Sequence, residues 1–290
     1  MRKFLWKSKG GMQIKMRKLG SKILAGPYIM WMIAFTIIPL VLIIYNAFTN
    51  NNGAFTLENI AAIADPVNAK PLWLSIRMSF LVTVSCLILA FPLAIILSKY
   101  SKDKNSLIVM IFILPMWMNF MLRTLAWRLI LLNNGFLNLV LDTLGIAPVY
   151  LMNTKAAIIF GTAYDYFPFM LLPIYNAVSK IDKDVINAAQ DLGANSWVVL
   201  KKIILPLSLP GIVSGITMVF VPSMSEFVIA DMLGGGKVYM IGNAIEQAFN
   251  SGYADVHLGS GLSLSLMGLI VISMIIYKIF DKGEEGQAIW

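Results

Sequence analysis

Apolar residues run along this chain in long blocks separated by short polar interruptions. Six blocks stand out, at residues 23–48, 73–97, 107–132, 156–178, 203–229 and 258–280. Each is about 20 residues or longer, the length a helix needs to cross a bilayer core of roughly 30 Å. The pattern predicts six membrane-spanning helices and an all-α fold. The first block is too long for the apolar part of a secretory leader, which is about 7–15 residues. It also runs through Tyr45-Asn46-Ala47-Phe48 into a polar Asn50-Asn51-Asn52 turn with no small-residue cleavage pattern, so it reads as a retained span. Two stretches between blocks predict short helices lying at the membrane surface. One lies at 135–145, around Phe136-Leu137-Asn138-Leu139-Val140-Leu141, and one at 241–250, after the flexible Gly234-Gly235-Gly236 run.

Charge placement orients the spans. Arg2, Lys3, Lys7, Lys9, Lys15, Arg17, Lys18 and Lys22 precede the first block. Lys99, Lys102 and Lys104 follow the second; Lys180, Lys183, Lys201 and Lys202 lie between the fourth and fifth; Lys278 and Lys282 close the sixth. The intervening connections carry Lys70 and Lys237 alone or, at 133–154, no basic residue at all. Basic residues stay on the cytoplasmic side, so both termini are expected in the cytoplasm. Residues 1–22 then form a basic cytoplasmic tail, 23–280 a single transmembrane domain, and 281–290 a short cytoplasmic tail. Composition agrees: 58% of the 290 residues are hydrophobic and 13% charged, against about 25% charged in soluble domains. The net charge of +8 belongs to these flanks, so it does not point to nucleic acid. The single cysteine, Cys86, makes no disulfide, and the single histidine, His257, reads as structural. No nucleophile–base set and no metal-ligand cluster is visible, so neither an enzyme nor a resident cofactor is expected.

The most informative stretch is the long loop at 180–206, on the expected cytoplasmic side. Asp182 and Asp184 precede an Ala-rich run, and acids favour a helix N-terminus. Ala188 and Ala189 are strong helix formers with small side chains. Gly193 can end that helix with a left-handed cap, and Ser196 can cap a second one carrying Trp197, Val198, Val199 and Leu200. The result is a helix–glycine–helix elbow with a small-residue face that another protein's groove can approach closely. The spacing of Ala188, Ala189, Gly193, Ile203, Leu205 and Pro206 resembles the EAA loop of ABC importer permeases. In that family the loop is the helix that docks into a cleft of the ATPase subunit, which implies coupling roles for Asn187, Ala188, Ala189, Asp191, Leu192, Gly193 and Ala194. Asn187 stands where the family usually has glutamate. Leu114-Pro115-Met116-Trp117, the 167–175 stretch Phe-Pro-Phe-Met-Leu-Leu-Pro-Ile-Tyr and Asp231-Met232-Leu233-Gly234-Gly235 are similar to the spermidine/putrescine branch. The resemblance implies a six-span type I importer permease in a bacterial cytoplasmic membrane. It would pair with a second, related permease, a separate ATPase dimer and an extracytoplasmic substrate-binding protein. The chain carries no phosphate loop of its own: Gly234-Gly235-Gly236-Lys237 is followed by Val238.

Ionisable groups at membrane depth are candidates for the transported path. Asp165 lies near the middle of the fourth block, flanked by Tyr164 and Tyr166, with Pro168 able to open the backbone. A carboxylate beside aromatic faces suits a flexible polycation. Glu226 reads as lying toward the outer end of the fifth block and Asp231 at its mouth; Trp117 and Asn119 lie at or somewhat beyond the middle of the third. Against this stands a structural ion pair, with Arg123 or Arg128 neutralising Asp165 or Glu226. Two other functions are consistent with the residues. The same machine could carry iron, thiosulfate or a phosphonate, in which case Arg123 and Arg128 would line an anionic path. Alternatively, the chain could be an ATP-independent secondary transporter.

Overall fold

A computed structural model describes residues 26–100, 107–250 and 255–280. The tails expected at 1–22 and 281–290, with Lys102, Lys104 and Lys282, lie outside the described residues. The described chain is helical apart from connections and one isolated bridge between Thr49 and Phe55. In order, the helices are α1 (Gly26–Ala47), α2 (Glu58–Ala61), α3 (Pro66–Tyr100), α4 (Leu107–Ile113), α5 (Phe120–Leu131) and α6 (Phe136–Thr143). They continue with α7 (Lys155–Ser179), α8 (Lys183–Asp191), α9 (Ser196–Met224), α10 (Val228–Gly234), α11 (Ile241–Asn250) and α12 (Val256–Phe280). Six segments are long and apolar enough to cross a membrane, and the protein is a multi-pass membrane protein.

α3, α7 and α9 form the central layer. Cys86, Ala90 and Ala94 recur every fourth residue on one face of α3 and are fully buried against Met170, Leu171 and Ile174 of α7. Residues four apart share a helix face, and their small side chains bring the two backbones close. α9 does the same with Gly211 and Gly215. A Cβ on Gly211 would lie 2.6 Å from the Pro173 carbonyl oxygen, and one on Gly215 would lie 2.8 Å from Met170 Sδ. This is a Gly-x-x-x-Gly face used for contact between spans, a signal the sequence reading did not single out. α10 packs on the opposite half of α7 through Ile158, Ile229 and Leu233, while Ile241 and Ala244 of α11 meet Leu262 and Leu266 of α12. α1 lies against α12 with Ala47 as its buried residue, so Trp31, Phe35, Ile38 and Val41 face outward, as lipid solvent permits. Its far end is pinned by Asn59, whose amide donates to the carbonyls of Asn46, Ala47 and Thr49 at 3.3, 3.3 and 2.9 Å. His257 Nδ1 meets the same Asn46 carbonyl at 3.0 Å, a structural role.

The structure changes two of the six expected spans. The third is not one helix: α4 passes into a tight turn at Leu114–Trp117, Met118 and Asn119 are extended, and α5 starts afresh. The 12 residues of α5 rise about 18 Å, short of a bilayer, so α4, the turn and α5 make the crossing together. The apolar run Phe120–Thr143 is also long enough to cross. However, Leu132 is extended, and Gly135 closes against the carbonyls of Leu129, Ile130 and Leu132, so α6 is a separate surface helix. The fifth span breaks at Ser225–Phe227, where α9 gives way to α10. Elsewhere proline is absorbed rather than breaking the helix. The widened turns Ile33–Ile37 and Leu200–Ile204 precede Pro39 and Pro206, whose rings would clash with a regular preceding turn.

The α7–α9 contact gives a stability prediction. Gly215→Leu is expected to lower stability by about 1–3 kcal/mol through overpacking against Met170. Gly268→Leu, where a new Cβ meets nothing within 4 Å, is expected to stay within about 0.5 kcal/mol. Thermal unfolding of the detergent-solubilised chain measures both.

Candidate substrate path and coupling surface

The two helix breaks meet beside Asp165. Asp165 is ten residues from the start of α7, about 15 Å down the helix, and α7 stays helical through Pro168 instead of opening there. Its carboxylate faces α5, where Arg123 lies in the first turn after the Met118–Asn119 break. Arg123 Nη2 is 3.3 Å from Asp165 Oδ1, and the side chains are 8% and 7% exposed. The pair is thinly supported. Arg123 Nε and Nη1 are buried without a hydrogen-bond partner, and the Thr124 hydroxyl is the neutral donor nearest the Asp165 carboxylate. That hydroxyl donates to the Phe120 carbonyl at 2.9 Å.

Glu226 completes the cluster. It sits in the break between α9 and α10, level with Tyr166, whose hydroxyl donates to Glu226 Oε2 at 3.1 Å. Glu226 Oε1 accepts from the Ile229 amide at 3.0 Å and so caps α10. Its charge is close enough to Asp165 to repel it. The Tyr164 ring stands with its centroid 6.0 Å from the Arg123 guanidinium carbon and 5.2 Å from the Trp127 ring. Two carboxylates and one guanidinium thus meet within the bundle. Asn119 is used locally, its side-chain oxygen accepting from the Met121 and Leu122 amides at 2.9 and 3.3 Å to cap α5. Trp117 stands 73% exposed on the turn before it. Arg128 is exposed, so of the two arginines weighed from the sequence it is Arg123 that forms the pair.

Above the cluster lies an open groove of about 580 Å³ between α5, α10 and α11, bordered by Met121, Phe227, Asp231, Tyr239, Glu246 and Gln247. Asp231 is exposed at its wall. Glu246 and Tyr239 were not singled out from the sequence, where the 241–250 helix gave no indication of the face it would turn inward. Burial, with the Glu246 charge beside it, holds the Tyr239 phenol above its usual range, so it stays protonated at neutral pH and donates to Gln247 Oε1.

The elbow forms at the opposite end of the bundle, beside Lys99 and Lys180. Asp182 caps α8 by accepting from the Asp184 amide at 2.9 Å. Gly193 takes φ +85°, the Gly193 amide returns to Gln190 O at 2.8 Å and the Ala194 amide to Ala189 O at 3.0 Å. That bond pair is the Schellman helix end that glycine favours. The next cap is Asn195 rather than Ser196: its side chain accepts from the Val198 amide at 2.9 Å, and Ser196 is already helical. Asn187, Ala188, Asp191 and Gly193 are exposed, while Ala189 and Ala194 are half-buried against the central core. Leu192 is 90% and Trp197 67% exposed, large apolar groups that jut from an otherwise small-residue face.

The buried pair gives the second prediction. Arg123→Met or Asp165→Asn alone leaves an unbalanced group and is expected to cost about 3–5 kcal/mol. Arg123→Met with Asp165→Leu is expected to recover most of that loss. Thermal unfolding of the four forms checks it, and equal stability of all four would show that the pair carries nothing.

Comparison with known proteins accords with this geometry. Residues 72–285 match the family described as "Binding-protein-dependent transport system inner membrane component". The chain is 35% identical to the spermidine/putrescine transport system permease protein PotB of Haemophilus influenzae, over 87% of this chain and 91% of that one. It is 33% identical to PotB of Escherichia coli K12, over 88% and 97%. Among solved structures it superposes on a bacterial ABC transporter involved in the import of the acidic polysaccharide alginate, with a TM-score of 0.70 at 18% identity over 94% of this chain and 98% of that one. A chain of the MetNI methionine ABC transporter gives a TM-score of 0.53 at 17% identity, over 73% and 93%. The chain therefore belongs to the inner-membrane permease components of binding-protein-dependent transport systems.

Proposed function

We propose that this chain is one half of the transmembrane path of a polyamine importer, with spermidine or putrescine as cargo. The observation that carries the reading is the acidic, aromatic character of the path. Asp231, Glu246 and Tyr239 border the groove, and a separate cluster inside the bundle holds Asp165 and Glu226 with Arg123 against Asp165. Such a lining attracts a cation by charge and holds its ammonium groups against aromatic faces. The likeness to the PotB relatives supports the same cargo. An anionic cargo is disfavoured, because Arg123 faces a carboxylate and Arg128 lies away from the groove lining.

In this reading the end carrying Lys99, Lys180, Lys201 and Lys202 is cytoplasmic and the groove opens outward. A binding protein (PotD-like) delivers cargo to the groove. A second permease (PotC-like) supplies the other wall, and a PotA-like ATPase dimer takes the elbow from Asn187 to Ala194 into its cleft. Ala188 is the contact at which close approach matters most, because it is small and exposed, whereas Ala189 serves the chain's own packing. Closure of the ATPase on ATP pushes the elbow, and the spans reorient to expose the path inward. Asn187 offers an amide where a carboxylate is usual, so it can donate as well as accept in that contact.

Ala188→Trp is expected to reduce spermidine uptake about tenfold or more, the effect of roughly 1.4 kcal/mol at the docking contact. ATPase co-purification should fall with it, while the amount of chain in the membrane stays unchanged. Uptake equal to wild type would remove the coupling role from the elbow.

A further inference from the structure

Arg123 sits where a transported cation would have to sit. It is 8% exposed, faces Asp165 through one nitrogen at 3.3 Å, and leaves Nε and Nη1 without partners. A guanidinium built for a permanent structural pair lies fork-to-fork with its carboxylate and uses its remaining donors. This one does neither. The site also holds one more negative group than positive: Asp165 and Glu226 face a single cation. The other groups around Asp165, namely Tyr164 and Tyr166 of α7 and Thr124 of α5, are uncharged. Met121 and Phe227 border the outer groove, and they stand two and one residues from Arg123 and Glu226 in the chain.

We propose that Arg123 is an internal stand-in for the cargo's ammonium group, displaced from Asp165 when a cationic substrate arrives. The inference rests on the polyamine reading and adds an exchange to it. Before cargo enters, Arg123 neutralises Asp165 and keeps the carboxylate from standing bare in the bundle. A primary or secondary ammonium group takes Arg123's place at Asp165, where the nearby Glu226 charge also favours it. Arg123 has a second resting place over the Tyr164 ring, whose centroid is already 6.0 Å from its guanidinium carbon. The helix that carries it can move, because α5 begins three residues earlier, just after the extended Met118–Asn119 break. The site then passes from a state with one carboxylate in excess to one in which Arg123 and the ammonium group together balance both carboxylates. A neutral or anionic solute cannot trigger the exchange, which makes the Arg123–Asp165 pair a selectivity element as well as a gate.

The test uses the whole transporter, this chain with its second permease and ATPase, in lipid nanodiscs and in proteoliposomes. Equilibrium binding of radiolabelled spermidine is measured without the binding protein, and uptake is measured with it. Arg123→Met should bind spermidine about tenfold or more tightly than wild type, because the competitor is gone. Arg123→Lys, which keeps the competing charge, should stay near wild type. Asp165→Asn should lose binding. The double variant Arg123→Met/Asp165→Leu guards against failed folding. It should assemble and melt near the wild-type temperature, yet take up spermidine at least about tenfold more slowly. Double-variant uptake at the wild-type rate, or Arg123→Met binding no tighter than wild type, overturns the inference and leaves the pair structural. If Arg123→Met does not assemble, the double variant decides alone. Wild-type transporter that takes up no spermidine contradicts the polyamine reading itself and removes this inference with it.

Discussion

Lipid offers no hydrogen bonds, so every backbone amide and carbonyl inside a bilayer must find a partner within the protein. That constraint governs where this chain can depart from helix. It departs twice within its spans, at Met118–Asn119 and at Ser225–Phe227, and each time a polar side chain takes over the work of the missing turn. Asn119 accepts from the amides of Met121 and Leu122, and Glu226 accepts from the amide of Ile229. Both breaks lie close to the Asp165 cluster, through Arg123 after the first and Glu226 within the second. A break whose amides are capped is a point at which a span can bend while its backbone donors keep a partner. The charged groups of the site therefore lie at the places where the bundle is able to move.

The central packing makes that movement collective. Gly211 and Gly215 seat α9 so tightly on α7 that neither helix can slide over the other without collision at Pro173 or Met170. α9 also continues without a break from the elbow through the widened turn at Leu200–Ile204 to Met224. In the proposed cycle a push on the elbow therefore travels along α9 as along a rod. It is released at the Ser225–Phe227 break, where Glu226 and Tyr166 are joined. The same rod links the ATPase-facing surface to the carboxylates that would receive the cargo.

Much of this was legible in the residue order, and the remainder was hidden for physical reasons. Apolar run length marked the spans, since the bilayer sets that length directly. Gly193 announced its left-handed helix end, because glycine adopts φ +85° without strain. Pro222 and the polar Ser225-Glu226 pair stand at the break after α9, but the partner Glu226 meets there, Tyr166, is 60 residues away and is set by packing. In the third span Pro115 lies in the turn at Leu114–Trp117, but Asn119 signals a cap only once the chain is seen to be extended there. Asn195 and Ser196 are both good caps, and sequence could not choose between neighbours. The Arg123–Asp165 contact joins residues 42 positions apart on different helices, so the sequence allowed the pair without selecting it over Arg128. The groove residues Tyr239 and Glu246 come from a short helix whose inward face is set by tertiary packing.

The central claim is that this chain moves a polyamine through an acidic path under the power of a separate ATPase. The most direct measurement is radiolabelled spermidine accumulation in proteoliposomes holding the purified permease pair and ATPase, with loaded binding protein on one side and ATP on the other. The account predicts accumulation against a gradient that needs both ATP and the binding protein and is abolished by a non-hydrolysable ATP analogue. Accumulation driven by an imposed ion gradient without ATP, or ATP-driven uptake of an anion in place of spermidine, would contradict it.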